Sequence, residues 1–209
     1  MTDHKTNPRK SFATTLREAS QFYAAQGNVY DALRRLTRRL DAEKIPYALI
    51  GGMALAAHGF VRMTQDVDIL ITPEGLAAFQ ARCVGHGYVP AFSGAQKSFR
   101  DTETHVRIEI ITTGEYPGDG KPKPVVFPDP AFSSIEHEGL HILTLEKLIE
   151  LKLASGMTAP QRLRDLADVQ DVIAALNLPE DFAKRLDASV RANYRELWVA
   201  AQSPKQEDE

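Results

Sequence analysis

From Phe12 to about Glu43, apolar residues recur at helical spacing: Phe12, Leu16, Phe22 and Tyr23, then Val29, Leu33, Leu36 and Leu40. Gly27-Asn28 interrupts the run, so the pattern predicts two lead-in helices. After Pro46 the period changes. "YALI" is short and wholly apolar, as a buried strand is, and it runs into Gly51-Gly52 and the Ala-rich "MALAAHG", whose residues favour helix. "DVDILI" reads as a second strand. Thr72-Pro73 then supplies an N-cap and a first-turn proline for a helix through Cys83 that ends before "GHG". "HVRIEII" alternates Val106, Ile108 and Ile110 with Arg107 and Glu109, the signature of a half-exposed strand.

"GEYPGDGKPKPVVFPDP" holds too much Pro and Gly for regular structure and reads as an ordered strap or mobile flap over one end of the sheet. The remainder is helical in pattern: "TLEKLIELKLAS" capped by Thr144 and closed by Gly156, "PQRLRDLADVQDVIAAL" from Pro160, and a last amphipathic helix after Pro179 carrying Phe182, Leu186, Val190 and Leu197. These elements imply an α+β fold, a mixed β-sheet core with flanking helices and a helical C-terminal half. The expected organisation is a helical lead-in at 1–44, an α/β core at 45–143, helices packed on that core at 144–200, and a disordered tail at 201–209.

At 209 residues and 43% hydrophobic content the chain can bury a core without staples. A formal net charge of -3 gives no global attraction to nucleic acid, so a polyanion would have to meet a local basic patch. The one cysteine, Cys83, cannot form an internal disulfide, and its place on an apolar helix face suits a free thiol in a reducing compartment. The opening "MTDHKTNPRKSF" has no apolar h-region, and no run approaches the ~20 residues that span a bilayer. A cytoplasmic protein without membrane partners is expected.

The chemistry concentrates in "IGGMALAAHGFVRMTQDVDILI", residues 50–71. Side chains two apart on a strand share a face, so Asp66 and Asp68 present two carboxylates together while Val67 and Ile69 face the core. Two close carboxylates repel unless a cation sits between them, and a hard divalent ion such as Mg²⁺ is held by a couple of carboxylates plus substrate phosphates. A D-x-D pair alone also occurs on solvated strand edges. Upstream, a strand running into Gly51-Gly52 and a helix lets backbone N–H groups approach an anion closely, although a plain tight turn has the same sequence. Thr64 shares the face of Asp66 and Asp68, and Arg62 could reach a triphosphate oxygen or pair with an aspartate.

Taken together, "GG", a short helix and "R-x-T-x-D-V-D-I" resemble the signature of the nucleotidyltransferase superfamily that includes DNA polymerase β. The similarity extends to AbiEii/AbiGii toxin-type and related minimal nucleotidyltransferases. It covers about Ile45 to Glu109 for the catalytic core and reaches Ile173 through Lys152 and "RLRDLADV". The resemblance implies a third carboxylate on a neighbouring strand, for which Glu109 is the candidate and Glu103, in a turn-like segment, the weaker one. The family more often has Asp there; Glu109 could equally be a cross-strand partner of Arg107.

The resemblance further implies that two Mg²⁺ ions bind Asp66, Asp68 and Glu109, and that Gly51, Gly52, Arg62, Thr64, Lys152 and Asp165 contact a nucleoside triphosphate. The acceptor would be RNA, a protein or a small molecule. A toxin-type member would also have a cognate antitoxin, and a degenerate member would bind nucleotide or a partner without turnover. On the helix after Pro160, Arg164 with Asp168 and Arg162 with Asp165 stand at i,i+4 and i,i+3, so ordinary surface ion pairing is expected there, with Asp168 mainly structural. The six histidines lack metal-ligand spacing, Tyr194 and Trp198 are spaced for packing, and no G-x-x-x-x-G-K-[ST] loop is present.

Overall fold

The structure, a computed structural model, describes residues 12–202, with side chains from residue 27 onward. The expected frayed ends, residues 1–10 and most of 201–209, lie outside the described residues, as do the side chains of Phe12, Leu16, Phe22 and Tyr23. Helix α1 (Phe12–Ala42) is continuous, so Gly27-Asn28 does not break it as expected. A single glycine costs a helix about 1 kcal/mol, which the burial of Val29, Leu33, Leu36 and Leu40 against the sheet exceeds.

The chain continues through β1 (Tyr47–Leu49), α2 (Gly51–Ala57), β2 (Asp66–Ile71), α3 (Pro73–Arg82), β3 (Tyr88–Pro90), β4 (Ser98–Asp101) and β5 (Arg107–Thr112). Then come α4 (Pro130–Ser133), β6 (Ser134–His137), β7 (Leu140–Leu143), α5 (Leu145–Thr158), α6 (Leu163–Ala175) and α7 (Arg191–Gln202). Seven strands form one mixed sheet in the order β3-β4-β5-β2-β1-β7-β6. The pairs β2–β5 and β1–β7 are parallel and the rest antiparallel. Short or polar strands β3, β4 and β6 carry too little alternation to stand out in the sequence. Thr72 caps α3 as expected, its Oγ1 accepting from the Gly75 N–H at 3.0 Å.

One hydrophobic core runs from Val29 of α1 to Tyr194 of α7. Buried Asp101, at the end of β4, ties α1 to the sheet through Arg35. Burial alone would raise its pKa, but the N–H of Thr104, the Arg35 guanidinium and the N–H of Glu103 hold it below the usual carboxylate range.

Four helix boundaries differ from the expected ones; at the first, Pro160–Arg162 form a 3₁₀ turn and α6 starts only at Leu163. Gly156 does not close α5; it lies inside the helix, where an added Cβ would stand 2.5 Å from Leu166 Cγ, so it is the close-approach point with α6. Thr144 precedes α5 but makes no side-chain cap. The segment after Pro179 forms two 3₁₀ turns, Glu180–Arg185 and Ala188–Val190, before α7 begins. Tyr194 and Trp198 pack as expected, donating to the carbonyls of Pro179 and Leu178 at 3.1 and 2.9 Å.

The Pro/Gly-rich segment is an ordered strap. Lys123 Nζ donates to the carbonyl of Pro117 and the hydroxyl of Thr158, and the backbone of Phe127 pairs with Gly114 and Glu115. Among the described residues, no helix is long and apolar enough to cross a membrane.

Candidate active site

Strand alternation fixes the acidic face. In β2, Val67 and Ile69 are buried while Asp66 and Asp68 are half-buried. The parallel register with β5 sets Asp68 opposite Glu109 and Asp66 opposite Arg107, so all three carboxylates rise from one side of the sheet. They line a cavity of about 800 Å³ together with Arg62, Thr64, Arg107, Arg162, Arg164, Asp165 and Asp168.

The three acids differ in their contacts. Asp66 makes no side-chain hydrogen bond or ion pair among the described residues. Glu109 is turned aside: its Oε1 accepts from Ser98 Oγ at 2.8 Å and pairs with the Arg107 guanidinium. Among the described residues, no three acid, histidine or cysteine side chains stand close enough to enclose a metal ion. The backbone therefore brings the trio to one side, and the Glu109 side chain would have to leave Arg107 to complete it. Asp68 is pushed up to about 6 by burial and by the charge of Asp66, opposed by Lys152, raised again by Glu109 and lowered by Arg62. An all-oxygen set whose central member resists ionisation fits a hard divalent cation.

Gly51 presses against this face. Its φ is +67°, and a Cβ added there would lie 2.0 Å from Asp68 Oδ2. No other residue fits between the start of α2 and the aspartate. Gly52 follows, packed on Thr64 and the Arg62 guanidinium, with 3.1 and 3.2 Å left for a Cβ. Thr64 spends its hydroxyl on the carbonyl of Asp66 at 3.2 Å, which fixes the turn into β2.

Lys152, expected as a phosphate contact, pairs instead with Asp165 and with Asp168, the latter expected to be mainly structural. Lys152 Nζ lies 2.9 Å from Asp165 Oδ1 and 2.7 Å from Asp168 Oδ2. Ser155 Oγ donates to Asp165 Oδ2 at 2.7 Å. Arg62 approaches Asp168 Oδ2 at 3.2 Å, close enough for an ion pair though its Nε–H is not aligned as a hydrogen bond. The expected pairs Arg164–Asp168 and Arg162–Asp165 do not form. Lys152 is 8% exposed, and leaving such an ammonium unpaired costs several kcal/mol, whereas an exposed helix pair returns a few tenths. The two aspartates therefore turn inward. A signal for this was present: a lysine within the apolar "LIELKLAS" needs a buried acid.

A second cavity, of about 280 Å³, shares Arg62, Asp68, Arg162 and Asp165 with the first. Gly51, Lys152, Leu148 and Leu151 wall it from below, and the strap residues Tyr116–Gly118 and Phe127 wall it from above. These strap residues were not anticipated, because nothing in a Pro/Gly-rich stretch says which way it folds.

A glycine turn against an aspartate pair on a mixed sheet is the architecture of a nucleotidyltransferase. A family model described as "uncharacterised nucleotidyltransferase" matches residues 2–197, and the chain belongs to that family. No curated protein matches it. Among solved structures, the chain is similar to ANT(2″)-Ia in complex with adenylyl-2″-tobramycin, at 12% identity, covering 83% of this chain and 98% of that one, with a TM-score of 0.50. It is also similar to a candidate nucleotidyltransferase of Thermotoga maritima, at 21% identity, covering 66% and 90%, with a TM-score of 0.46.

Proposed function

We propose that this enzyme transfers a nucleoside monophosphate from a nucleoside triphosphate to a hydroxyl acceptor, using Asp66, Asp68 and Glu109 as Mg²⁺ ligands. The observation that carries this reading is the β2–β5 register, which sets Asp68 beside Glu109 with Gly51 packed on the same carboxylate. Bound there, two Mg²⁺ ions supply a lowered acceptor-hydroxyl pKa and charge neutralisation on pyrophosphate.

The chain's own groups do the positioning. Gly51 and Gly52 expose backbone N–H groups at a turn that admits a phosphate without a side chain in the way. Arg62 stands over Gly52 and Lys152 lines the adjoining cavity, so both can receive phosphate oxygens as their hold on Asp168 is shared. The acceptor oxygen bonds to the α-phosphorus, the α–β bridging bond breaks and pyrophosphate leaves. Glu109, released from Arg107, takes the hydroxyl proton.

ANT(2″)-Ia, a protein of similar fold, is known in complex with adenylyl-2″-tobramycin, and that ligand supports including small-molecule hydroxyls among the acceptors to be tested. Purified protein incubated with each labelled nucleoside triphosphate, Mg²⁺ and cellular RNA, protein or aminoglycosides should label one acceptor class. Asp66→Asn with Asp68→Asn should reduce labelling by at least about 100-fold with the fold intact by circular dichroism. Labelling that survives this replacement refutes the assignment; metal-dependent nucleotide binding with no pyrophosphate release identifies a degenerate member. At the level of the cell, growth arrest by the native chain but not the double variant supports the toxin-type role, for which a cognate antitoxin would be the partner.

A further inference from the structure

The inward turn of Asp165 and Asp168 leaves two cations behind. Arg162 and Arg164 are exposed at the start of α6, line the 800 Å³ cavity, and have no acidic partner within 4.0 Å among the described residues. Arg107 faces the same cavity from β5, its Nε held by Ser98 and Glu109. Arg164 and Arg107 border only this larger chamber, whereas Gly51 and Lys152 border only the smaller one. Arg162 borders both chambers, so of the two unpaired arginines Arg164 is the one that stands clear of the triphosphate side.

Between the arginines stand exposed apolar side chains. Met63 lines the same cavity at 57% exposure, and Leu163, 65% exposed, separates Arg162 from Arg164. The cavity thus carries two unpaired guanidinium groups and the exposed Met63 beside its carboxylates, with Leu163 exposed between the two arginines in sequence. Guanidinium forks match phosphate geometry bidentately, and apolar side chains give unstacked bases a surface that is indifferent to sequence.

We propose that the acceptor is the 3′ end of a single-stranded RNA, its terminal phosphodiesters held by Arg162 and Arg164 and its terminal hydroxyl directed to Asp68 and Glu109. This assignment rests on the transferase reading but is tested apart from it. The probe is a 5′-fluorescein 12-nucleotide single-stranded RNA with a free 3′ hydroxyl, titrated with full-length protein by anisotropy, with saturating ATP present, over a range of salt.

Arg162→Glu with Arg164→Glu should weaken binding more than 10-fold and lower the slope of log affinity against log salt by about 1.4, the loss of two phosphate contacts on a single strand. Arg162→Gln with Arg164→Gln, which adds no repulsion, should give an intermediate loss. Nucleotide transfer by the Asp66→Asn/Asp68→Asn protein is scored in its own assay, apart from the anisotropy of the arginine variants, so failure of the chemistry and failure of the acceptor assignment are read separately. Four outcomes overturn the proposal: no RNA binding by the native chain, binding unchanged by the arginine replacements, displacement of RNA by ATP, or equal competition by poly-glutamate, which would mark the rim as a docking site for an acidic protein.

Discussion

Two acidic clusters border the same cavity, and they are built on opposite principles. On the sheet, Asp66, Asp68 and Glu109 crowd like charges onto one face; Asp66 has no partner and Asp68 is pushed up to about 6. Between α5 and α6, Asp165 and Asp168 are each met by Lys152, with Ser155 and Arg62 completing the set. The second cluster is satisfied and holds two helices together. The first is left electrostatically incomplete, and the deficit is one a divalent cation supplies. Charge compensation thus separates scaffold from reaction site across a few ångströms of one cavity.

The sharpest way to break the contrast is to remove the compensating cation. Lys152→Ala leaves Asp165 and Asp168, the latter 4% exposed, with only Arg62 and Ser155 nearby. Stripping one partner from a buried ion pair costs about 3–5 kcal/mol, so the urea midpoint should fall steeply. Replacing Lys152 by Met together with Asp168 by Leu should recover part of that loss, because the more deeply buried carboxylate of the pair is then gone, while Asp165 keeps only Ser155 and Arg62 loses its partner. A Lys152→Ala protein of native stability would show that the cluster is not structural.

The same contrast explains what could be read from sequence. Within β2 the backbone alone dictates direction: Asp66 and Asp68 must share a face, and Gly51 must stand where no Cβ is tolerated, so the acidic face and its turn were legible at spacing two. On α6, Asp168 can reach Arg164 on its own surface or Lys152 on another helix, and spacing does not decide between them. Burial does, and burial depends on the α5–α6 contact at Gly156, a tertiary fact. Likewise β3 and β4 took their place from pairing with β5 rather than from their own pattern, and with them came Ser98, the residue that holds Glu109 aside.

Gly51 offers a test of intermediate size on the sheet side. Gly51→Ala meets two penalties, a left-handed φ of +67° and a Cβ 2.0 Å from Asp68 Oδ2. The conformational part costs about 1–2 kcal/mol and the contact adds to it, for a total near ~2–3 kcal/mol. Combining Gly51→Ala with Asp68→Ala removes the Oδ2 and Cγ clashes but leaves the Cβ of residue 68 at 3.0 Å and the strain of the turn. Urea titration should therefore return part of the loss, leaving a residue of about 1 kcal/mol. A fully additive pair would show that turn and aspartate do not touch.

The smallest effect is the most diagnostic, because one type of substitution should act with opposite sign in the two clusters. In EDTA, Asp68→Asn removes a carboxylate whose ionised form is disfavoured by burial and by Asp66, and should stabilise the fold by about 1 kcal/mol once the screening water of the open cavity is discounted. Asp168→Asn takes a charge away from Lys152 and Arg62 and should destabilise it. Mg²⁺ should then raise the melting temperature of the native chain and leave that of Asp66→Asn/Asp68→Asn unmoved, since only a state that binds the ion gains from it. If both single substitutions shift stability in the same direction, compensation is not what distinguishes the two clusters.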